Sequence, residues 1–212
     1  MIRGSLRVLA GVALMALVAG TATGCGSNGS NGRSPASATA SAAPPAALLA
    51  QARPIGRGVR FQPPVTGRPI GPCTQALGER DGVHVELFGA NRVVLIAAGV
   101  GTLGPRAYSS GRIARARCYG ALVTLDPTGL VLVRPGARAT VGDLFRSWGQ
   151  PLSADRLASF SAGPGGTVRV YVDGRQVHVP PSGVPLRRHA EIVLEVGPYV
   201  PPHPAYTFPP GT

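Results

Sequence analysis

The sequence predicts a β-rich α+β fold, and three observations support this prediction. Strand-like segments of alternating or continuous apolar residues recur in pairs, and turn residues separate the members of each pair. One segment has the apolar spacing and the end signals of an amphipathic helix. A last strand-like segment, at 190–196, follows these elements and closes the folded region.

Each predicted hairpin combines two short apolar runs with a tight-turn sequence. Ala90-Asn91 separates the first pair, and Asp173-Gly174, which is among the strongest short hairpin signals, separates the third. In the second pair, the turn sequence Asp-Pro-Thr-Gly begins at Asp126. The three hairpins are predicted at 83–99, 121–136 and 167–180.

The main helix is predicted at 141–150. Thr140 caps its first turn, and Asp143 stands three residues further on, as in a capping box. Gly149 is the signal for its end. The apolar residues of its buried face recur at i, i+3, i+4 and i+7: Val141, Leu144, Phe145 and Trp148. This spacing favours a core position for the tryptophan.

The element order resembles that of a ubiquitin-like β-grasp, in which one helix packs across a mixed sheet. In that arrangement 121–133 supply the first hairpin, 141–150 the helix, and 168–177 with 191–196 the remaining strands. The strand pair at 83–97 is then an extra N-terminal hairpin. A second, shorter helix is predicted at 154–159, with Ser153 as its cap.

The chain of 212 residues carries a formal net charge of +12, and it contains arginine but no lysine. This composition is typical of genomes with G+C-rich codons, as in actinobacteria. An excess of positive charge favours polyanionic partners, such as anionic lipid headgroups or acidic envelope polymers. The alternative is that arginine serves here as the general solubilising cation.

The first 24 residues have the composition of an export signal. Arg3 and Arg7 precede an apolar run at 8–19, and small residues follow up to Gly24. This run is shorter than the roughly 20 apolar residues that a membrane-spanning helix needs. We therefore expect residues 1–24 to be a signal peptide, and an exported chain is not expected to meet nucleic acid.

Ala22-Thr23-Gly24-Cys25 resembles the lipobox of bacterial lipoproteins, in which a peptidase cleaves before a cysteine that carries diacylglycerol. The resemblance implies lipidation of Cys25 and an anchor on the extracytoplasmic face of the cell membrane. Ala22 departs from the usual pattern, which has leucine at that position. The alternative is an ordinary secreted protein with a free Cys25.

The two remaining cysteines, Cys73 and Cys118, form an even pair in a compartment where disulfides persist. We expect a bridge between them. Such a bridge stabilises the fold by an amount on the order of 3 to 4 kcal/mol in the chain-entropy model. The alternative is two separately buried thiols.

Residues 25–66 are dominated by Ser, Gly, Ala and Pro. Because they include few large apolar side chains, burial does not offset the conformational entropy of folding. The sequence therefore predicts a lipid-anchored disordered linker over 25–66 and a single β-rich globular domain over 67–211. The Pro-rich ending, with Tyr206 and Phe208, is expected to pack along the domain in extended form.

Residues between 73 and 211 follow a pattern of several motifs. They are Cys73, His84, Cys118, Asp126, Gly129, Leu144, Phe145, Trp148, Gly149, Tyr171, Val172, Gly174, Tyr206, Phe208, Pro209, Pro210 and Gly211. The pattern resembles a family of uncharacterised bacterial extracytoplasmic proteins. Members of that family have an alternating histidine cluster, a Leu-x-x-Phe-Phe-x-x-Trp-Gly helix, a Tyr-Val-Asn-Gly-Lys hairpin and an ending like Tyr-x-Phe-Pro-Pro-Gly.

Most histidines of that family pattern are replaced in this chain. His84 is kept, but the other histidine positions hold Gly82, Glu86, Val123, Leu125 and Leu132, and the acidic position holds Arg134. Imidazoles on alternate strand positions suit copper or zinc, since residues i and i+2 project from one face. Aliphatic replacements remove such donors. We therefore expect no metal and no cofactor, and we expect His84 to be a surface or hydrogen-bonded histidine.

Two arginine-rich runs are candidate contacts for an anionic surface. Arg112, Arg115 and Arg117 form the first run, which follows a Ser-Ser-Gly sequence and is expected on a loop. Arg187 and Arg188 form the second. Lipid headgroups or acidic glycans are the partners that such charges favour, and a solvated surface is the alternative.

The sequence favours a non-enzymatic envelope lipoprotein whose domain binds an envelope protein or an acidic glycan. It contains no Gly-x-Ser-x-Gly elbow, no Cys-x-x-Cys and no His-Glu helix motif, and the Gly-rich stretch at 161–166 has no lysine to contact a phosphate. Two alternatives stay open. One is a metal-handling protein that has lost most of its ligands, and the other is an envelope hydrolase built from residues distant in sequence.

Overall fold

A computed structural model describes residues 52–201 and 206–212. In these residues the main sheet consists of β1 (Asp81–Gly89), β2 (Arg92–Val93), β5 (Leu122–Val123), β6 (Leu130–Val133), β9 (Arg169–Val172), β10 (Arg175–Val177) and β11 (Glu191–Val196). Its strand order is β10-β9-β11-β1-β6-β5, with β2 also paired to β1. Two small two-stranded sheets pair β3 (Thr102–Ser109) with β4 (Arg112–Tyr119) and β7 (Arg156–Leu157) with β8 (Phe160–Ser161). The prediction of a β-rich α+β fold with a mixed sheet is confirmed.

Strand β1 lies in the middle of the main sheet. It runs parallel to β11, with His84 opposite Glu191, and antiparallel to β6, with Asp81 opposite Val133. The prediction that the first hairpin is an addition to the sheet was therefore wrong. Most of β1 is buried, because elements pack on both faces of the sheet.

The predicted hairpins at Ala90-Asn91 and Asp173-Gly174 are confirmed, since β2 pairs with β1 and β10 pairs with β9 across these turns. Both Ala90 and Asn91 have positive φ, at 50° and 61°. Positive φ at both central residues is characteristic of a type I′ turn, whose twist matches that of the strands. β5 and β6 form the second predicted pair.

The helix α1 (Val141–Trp148) has the predicted capping box. Thr140 accepts a hydrogen bond from the Asp143 amide, and the Asp143 carboxylate accepts one from the Thr140 amide. The helix ends at Trp148, before the predicted 150, because Gly149 adopts a left-handed conformation with φ 82°. Its buried side chains pack into one cluster with Val83, Val85, Leu87 and Leu194 of the sheet.

The predicted short helix at 154–159 is absent, and the same residues form the tight β7–β8 hairpin. Ala158 turns the chain with φ 49°, and its amide donates to the Pro151 carbonyl. The Val168 amide donates to the carbonyl of Ala154. These backbone hydrogen bonds to residues further along the chain stabilise the hairpin. A helix of six residues would be too short to be stable alone.

The hairpin β3–β4 was not predicted as a pair of strands. The first arginine run lies on β4, so its assignment to a loop was wrong. The predicted disulfide between Cys73 and Cys118 is confirmed, with a Cα–Cα distance of 5.5 Å. It joins β4 to the chain that leads into β1, beside a backbone bridge between Thr74 and Tyr119.

Residues 52–66 are ordered on the domain, which corrects the predicted end of the disordered linker at 66. The Trp148 indole nitrogen donates to the Pro63 carbonyl at 3.1 Å, and the amides of Thr66 and Gly67 donate to the Trp148 carbonyl. The Phe61 ring packs on Phe160, with 4.9 Å between centroids. The predicted signal peptide, Cys25 and the linker up to residue 51 lie outside the described residues.

Candidate functional site

The face of the main sheet opposite α1 carries buried polar side chains. His84 on β1 is 6% exposed, and Glu191 and Glu195 on β11 are 5% and 0% exposed. Alternate residues of a strand share a face. Val83 and Val85 therefore face α1, whereas His84 faces the other way, toward the described residues that follow β11 (197–201 and 206–212), which we call the tail. We call this second surface the tail-covered face.

His84 is enclosed by three neighbours on this face. The Tyr206 ring stacks on the imidazole with 3.8 Å between centroids and 8° between planes. The Nε2 atom lies 3.3 Å from the Thr128 carbonyl oxygen, and Nδ1 lies 4.0 Å from Oε1 of Glu191. A carbonyl only accepts hydrogen bonds, so a hydrogen bond at this contact has Nε2 as its donor, while Nδ1 faces the Glu191 carboxylate. The structure thus places His84 as a buried, hydrogen-bonded histidine.

Glu195 links the tail to the sheet through a buried hydrogen-bond network. Its Oε1 accepts from Arg169 Nε at 2.6 Å and from the Tyr171 hydroxyl at 3.2 Å, while Oε2 accepts from the Val200 amide at 2.9 Å. Arg169 also donates to the carbonyl of Gly197 at 2.7 Å. Burial, followed by the negative charge of Glu195, raises the pKa of Tyr171. The hydrogen bond to Glu195 raises the pKa of Arg169.

The end of the tail lies against the start of β1. Phe208 stacks on His189 with 4.6 Å between ring centroids, and His189 Nε2 lies 2.6 Å from the Thr212 carbonyl oxygen. A Cβ atom on Gly82 would lie 2.9 Å from the Thr212 hydroxyl oxygen and 3.1 Å from the Phe208 ring. A side chain at position 82 would therefore require the Thr212 and Phe208 side chains to shift.

The aliphatic residues at the positions singled out in the sequence lie together. Val123, Leu125 and Leu132 belong to one buried apolar cluster, and Tyr206 and Phe208 pack against it. Of the described residues, no three His, Cys, Asp or Glu side chains are grouped so that they could hold a metal ion. Glu86 is separate from the cluster and lines a groove of about 180 Å³ beside His84.

The two predicted basic runs have different surroundings. Arg112 pairs with Asp126 at 2.5 Å, whereas Arg115 and Arg117 are exposed and have no acidic side chain within 4.0 Å among the described residues. Tyr108, on the partner strand of the hairpin, is 60% exposed. Among the described residues, the arginines of the first run make no hydrogen bond or ion pair with Arg187 or Arg188.

The second run lies before β11. Arg188 contacts Asp81 at 3.6 Å and donates to the Thr212 carbonyl, and Arg187 is exposed. Both arginines line a groove of about 350 Å³ whose apolar lining includes Val172 and Val184.

No local pattern predicted the burial of Arg80, because its position between Glu79 and Asp81 is typical of an exposed charge. Its guanidinium donates to the carbonyls of Leu77 and Gly120, and the residue as a whole is 6% exposed. Burial, and then the nearby Arg134, lowers the pKa of Arg80. Both arginines bind backbone carbonyls at the base of the β3–β4 hairpin, which indicates a structural role.

The described residues include no helix long and apolar enough to cross a membrane. Comparison of the chain with protein families, with curated proteins and with solved structures found no match.

Proposed function

We propose that the protein is a non-enzymatic envelope lipoprotein whose domain binds an acidic polymer of the cell envelope. A diacylglyceryl group on Cys25 anchors it to the outer face of the cytoplasmic membrane. The observation that carries the binding proposal is the exposed pair Arg115 and Arg117 on β4, which has no acidic neighbour within 4.0 Å among the described residues.

The hairpin is suited to present these two charges. Residues i and i+2 of a strand project from the same face and lie about 7 Å apart. Ala107, a small residue, lies opposite Arg115 on β3, so the guanidinium is accessible from the side. The disulfide at Cys118 fixes the strand next to Arg117. A polymer with regularly spaced carboxylates or phosphates matches such a pair, because guanidinium groups bind both anions in a bidentate manner.

Binding to polygalacturonate, a linear polymer with one carboxylate per sugar, tests this proposal. The variant R115Q/R117Q is expected to bind up to roughly tenfold more weakly than the wild type. The matched control is R138Q/R175Q, which removes two exposed arginines from other elements. Equal weakening in both variants would show that only net charge matters and would refute the hairpin site.

The anchor is tested separately. Mass spectrometry of the protein from the membrane fraction is expected to find a chain that begins at Cys25 and carries a diacylglyceryl group. C25S is expected to abolish the modification and to release the protein from the membrane. An intact leader on a protein of the cytosol, with an unmodified Cys25, would refute both the anchor and the envelope location.

We also propose that the main sheet is a β-grasp. The order β10-β9-β11-β1-β6, with β1 parallel to β11 and α1 between β6 and β9, supports this proposal. In this arrangement β1 and β6 form the first hairpin, and residues 90–129 are an insertion between them. An experimental structure with a different central strand pair would refute it.

The two alternatives make different predictions. If the resemblance to the histidine-rich family extends to function, copper or zinc binds stoichiometrically to the chain, and H84L abolishes that binding. Crosslinking in whole envelopes, followed by capture of the protein, separates a binding module from a hydrolase. A stable crosslinked partner supports the first, and turnover of isolated envelope polymer supports the second.

A further inference from the structure

The ordered segment that leads into the domain displays two apolar side chains to solvent. Ile55 is 53% exposed and Val59 is 71% exposed. They are two of the five large apolar or aromatic side chains that are strongly exposed in the described part of the chain. Exposed apolar side chains that lie close together in sequence and are flanked by charge are typical of a contact surface.

Backbone contacts hold this segment in place. The Val93 amide donates to the Pro54 carbonyl at 3.1 Å, and the Gly56 amide donates to the Val93 carbonyl at 3.0 Å, so residues 54–56 extend the sheet beyond β2. Phe61 packs into the core, and its amide closes a turn onto the Gly58 carbonyl. Val59 stands in this turn, and its exposure is therefore fixed by the fold.

The same surface is basic. Arg57 and Arg60 flank Val59, and Arg92 lies on the neighbouring strand β2; all three are exposed. No acidic side chain lies within 4.0 Å of any of them among the described residues. The sequence itself contains no Asp or Glu before Glu79. The guanidinium of Arg60 lies 4.3 Å from the centroid of the Phe160 ring, which holds this charge beside the turn.

We propose that Ile55, Val59, Arg57, Arg60 and Arg92 form a docking face for an anionic lipid bilayer. Arginines attract anionic headgroups, and the two apolar side chains enter the boundary between headgroups and acyl chains. The position in the chain supports this occupant, because the segment follows directly on the residues that connect it to Cys25. This inference rests on the proposed membrane location, and it adds that the domain lies against the bilayer with this face.

Vesicle binding by the chain from Gly26 to Thr212 tests the docking face without the leader or the acylated cysteine. All described residues belong to one compact unit, which this chain retains. We expect binding to phosphatidylglycerol vesicles, little binding to phosphatidylcholine vesicles, and loss of binding at high salt because ions screen the charges. Circular dichroism checks that each variant is folded.

Substitutions locate the face. R57Q/R60Q is expected to weaken vesicle binding about 25-fold, from about fivefold for each arginine near an anionic surface. V59S is expected to weaken it about tenfold through lost apolar burial. The matched controls are R175Q and V179S, which lie on and just beyond β10 at the opposite edge of the sheet and are expected to bind as the wild type does.

Insertion has its own readout. In V59W, a lipid with bromine on its acyl chain is expected to quench the new tryptophan, whereas the buried Trp148 of the wild type stays unquenched. Absence of binding by the wild type, equal losses in the control variants, or an unquenched Trp at position 59 would each overturn the proposal. Failure of Cys25 acylation with intact vesicle binding would instead refute the proposed anchor alone, so the two ideas are separable.

Discussion

The two faces of the main sheet are covered in different ways. On the helix-covered face, Val83, Val85 and Leu87 meet α1, and Trp148 is 0% exposed. On the tail-covered face, apolar residues alternate with His84, Glu191 and Glu195; the Tyr206 ring stacks on His84, and the Val200 amide donates to Glu195. The first face is held by apolar burial, which is non-directional. The second depends on specific hydrogen bonds, so the two faces should respond to different perturbations.

The helix and the tail are also attached to the sheet in different ways. The helix α1 has its own capping box and is one regular element. The tail follows β11 directly, turns at Gly197 with φ 104°, and is fastened where the Val200 amide meets Glu195. Because one carboxylate accepts from three groups, a single substitution is able to loosen the tail, whereas the helix face has no single fastening point.

The largest effect is expected for Trp148→Ala on the helix-covered face. The substitution leaves a cavity and removes the hydrogen bond from the indole to Pro63, so the free energy of unfolding should fall by about 3–5 kcal/mol. Urea denaturation measures the loss. Trp148→Phe, which keeps an aromatic ring, is the control and should cost less. A loss below about 1 kcal/mol in Trp148→Ala would show that this face is not held mainly by packing.

Removal of the disulfide should cause the second-largest loss of stability. The bridge closes a loop with a sequence separation of 45, and its loss should lower the free energy of unfolding by about 3–4 kcal/mol through the unfolded state. The double variant C73S/C118S avoids a lone thiol. Reducing agent should lower the stability of the wild type by the same amount and leave the double variant unchanged. A further loss in the double variant would show that reduction acts elsewhere.

On the tail-covered face, Glu195→Ala should lower the free energy of unfolding by about 2–3 kcal/mol, because Arg169 and the Val200 amide lose their acceptor. Glu195→Gln, which keeps one acceptor oxygen, should cost less. Hydrogen exchange at Val200 should become faster in both variants. Glu79→Ala, at an exposed carboxylate, is the control. Unchanged hydrogen exchange at Val200 would show that the tail is held by packing alone, and the proposed difference between the two faces would then be wrong.

The sequence predicted the helix-covered face well because its signals are local. Thr140, Asp143 and Gly149 mark the helix ends within a few residues, and Asp173-Gly174 specifies a turn on its own. Local signals of this kind act before any tertiary contact is made. The strands beside these turns were also predicted correctly. The central position of β1 was not predicted, because it depends on pairing with β11, which is about one hundred residues further along the chain.

The tail-covered face and its surroundings depend on distant contacts, which a single sequence does not encode in a local pattern. The β3–β4 hairpin contains Gly104-Pro105 and many exposed residues, so it has no apolar alternation. On the helix-covered side, residues 52–66 were also missed, because they have few apolar side chains and Phe61 and the Pro63 carbonyl are ordered by distant partners on β8 and α1. Burial of His84 followed from Tyr206, more than one hundred residues away, and no spacing rule predicts that stack.

The smallest effect on the free energy of unfolding is expected from alkaline pH. It too should distinguish the tail-covered face from the helix-covered face. Burial raises the pKa of both Tyr171 and Tyr206 on the tail-covered face, and the carboxylates of Glu195 and Asp126 respectively add to the shift. In the unfolded chain tyrosine titrates near about 10. The contribution of these tyrosines is therefore fully present below about pH 10 and is lost as the pH rises through their higher folded-state pKa values.

Urea denaturation between about pH 8 and about pH 11 measures this loss, which lies on the alkaline side of the ordinary tyrosine pKa. Tyr171→Phe and Tyr206→Phe should each reduce the fall in the free energy of unfolding, because the removed hydroxyl no longer titrates. Tyr108→Phe, at a side chain that is 60% exposed, is the matched control. If all three variants lose stability with pH as steeply as the wild type does, the alkaline sensitivity originates elsewhere, and the buried hydroxyls do not distinguish the tail-covered face.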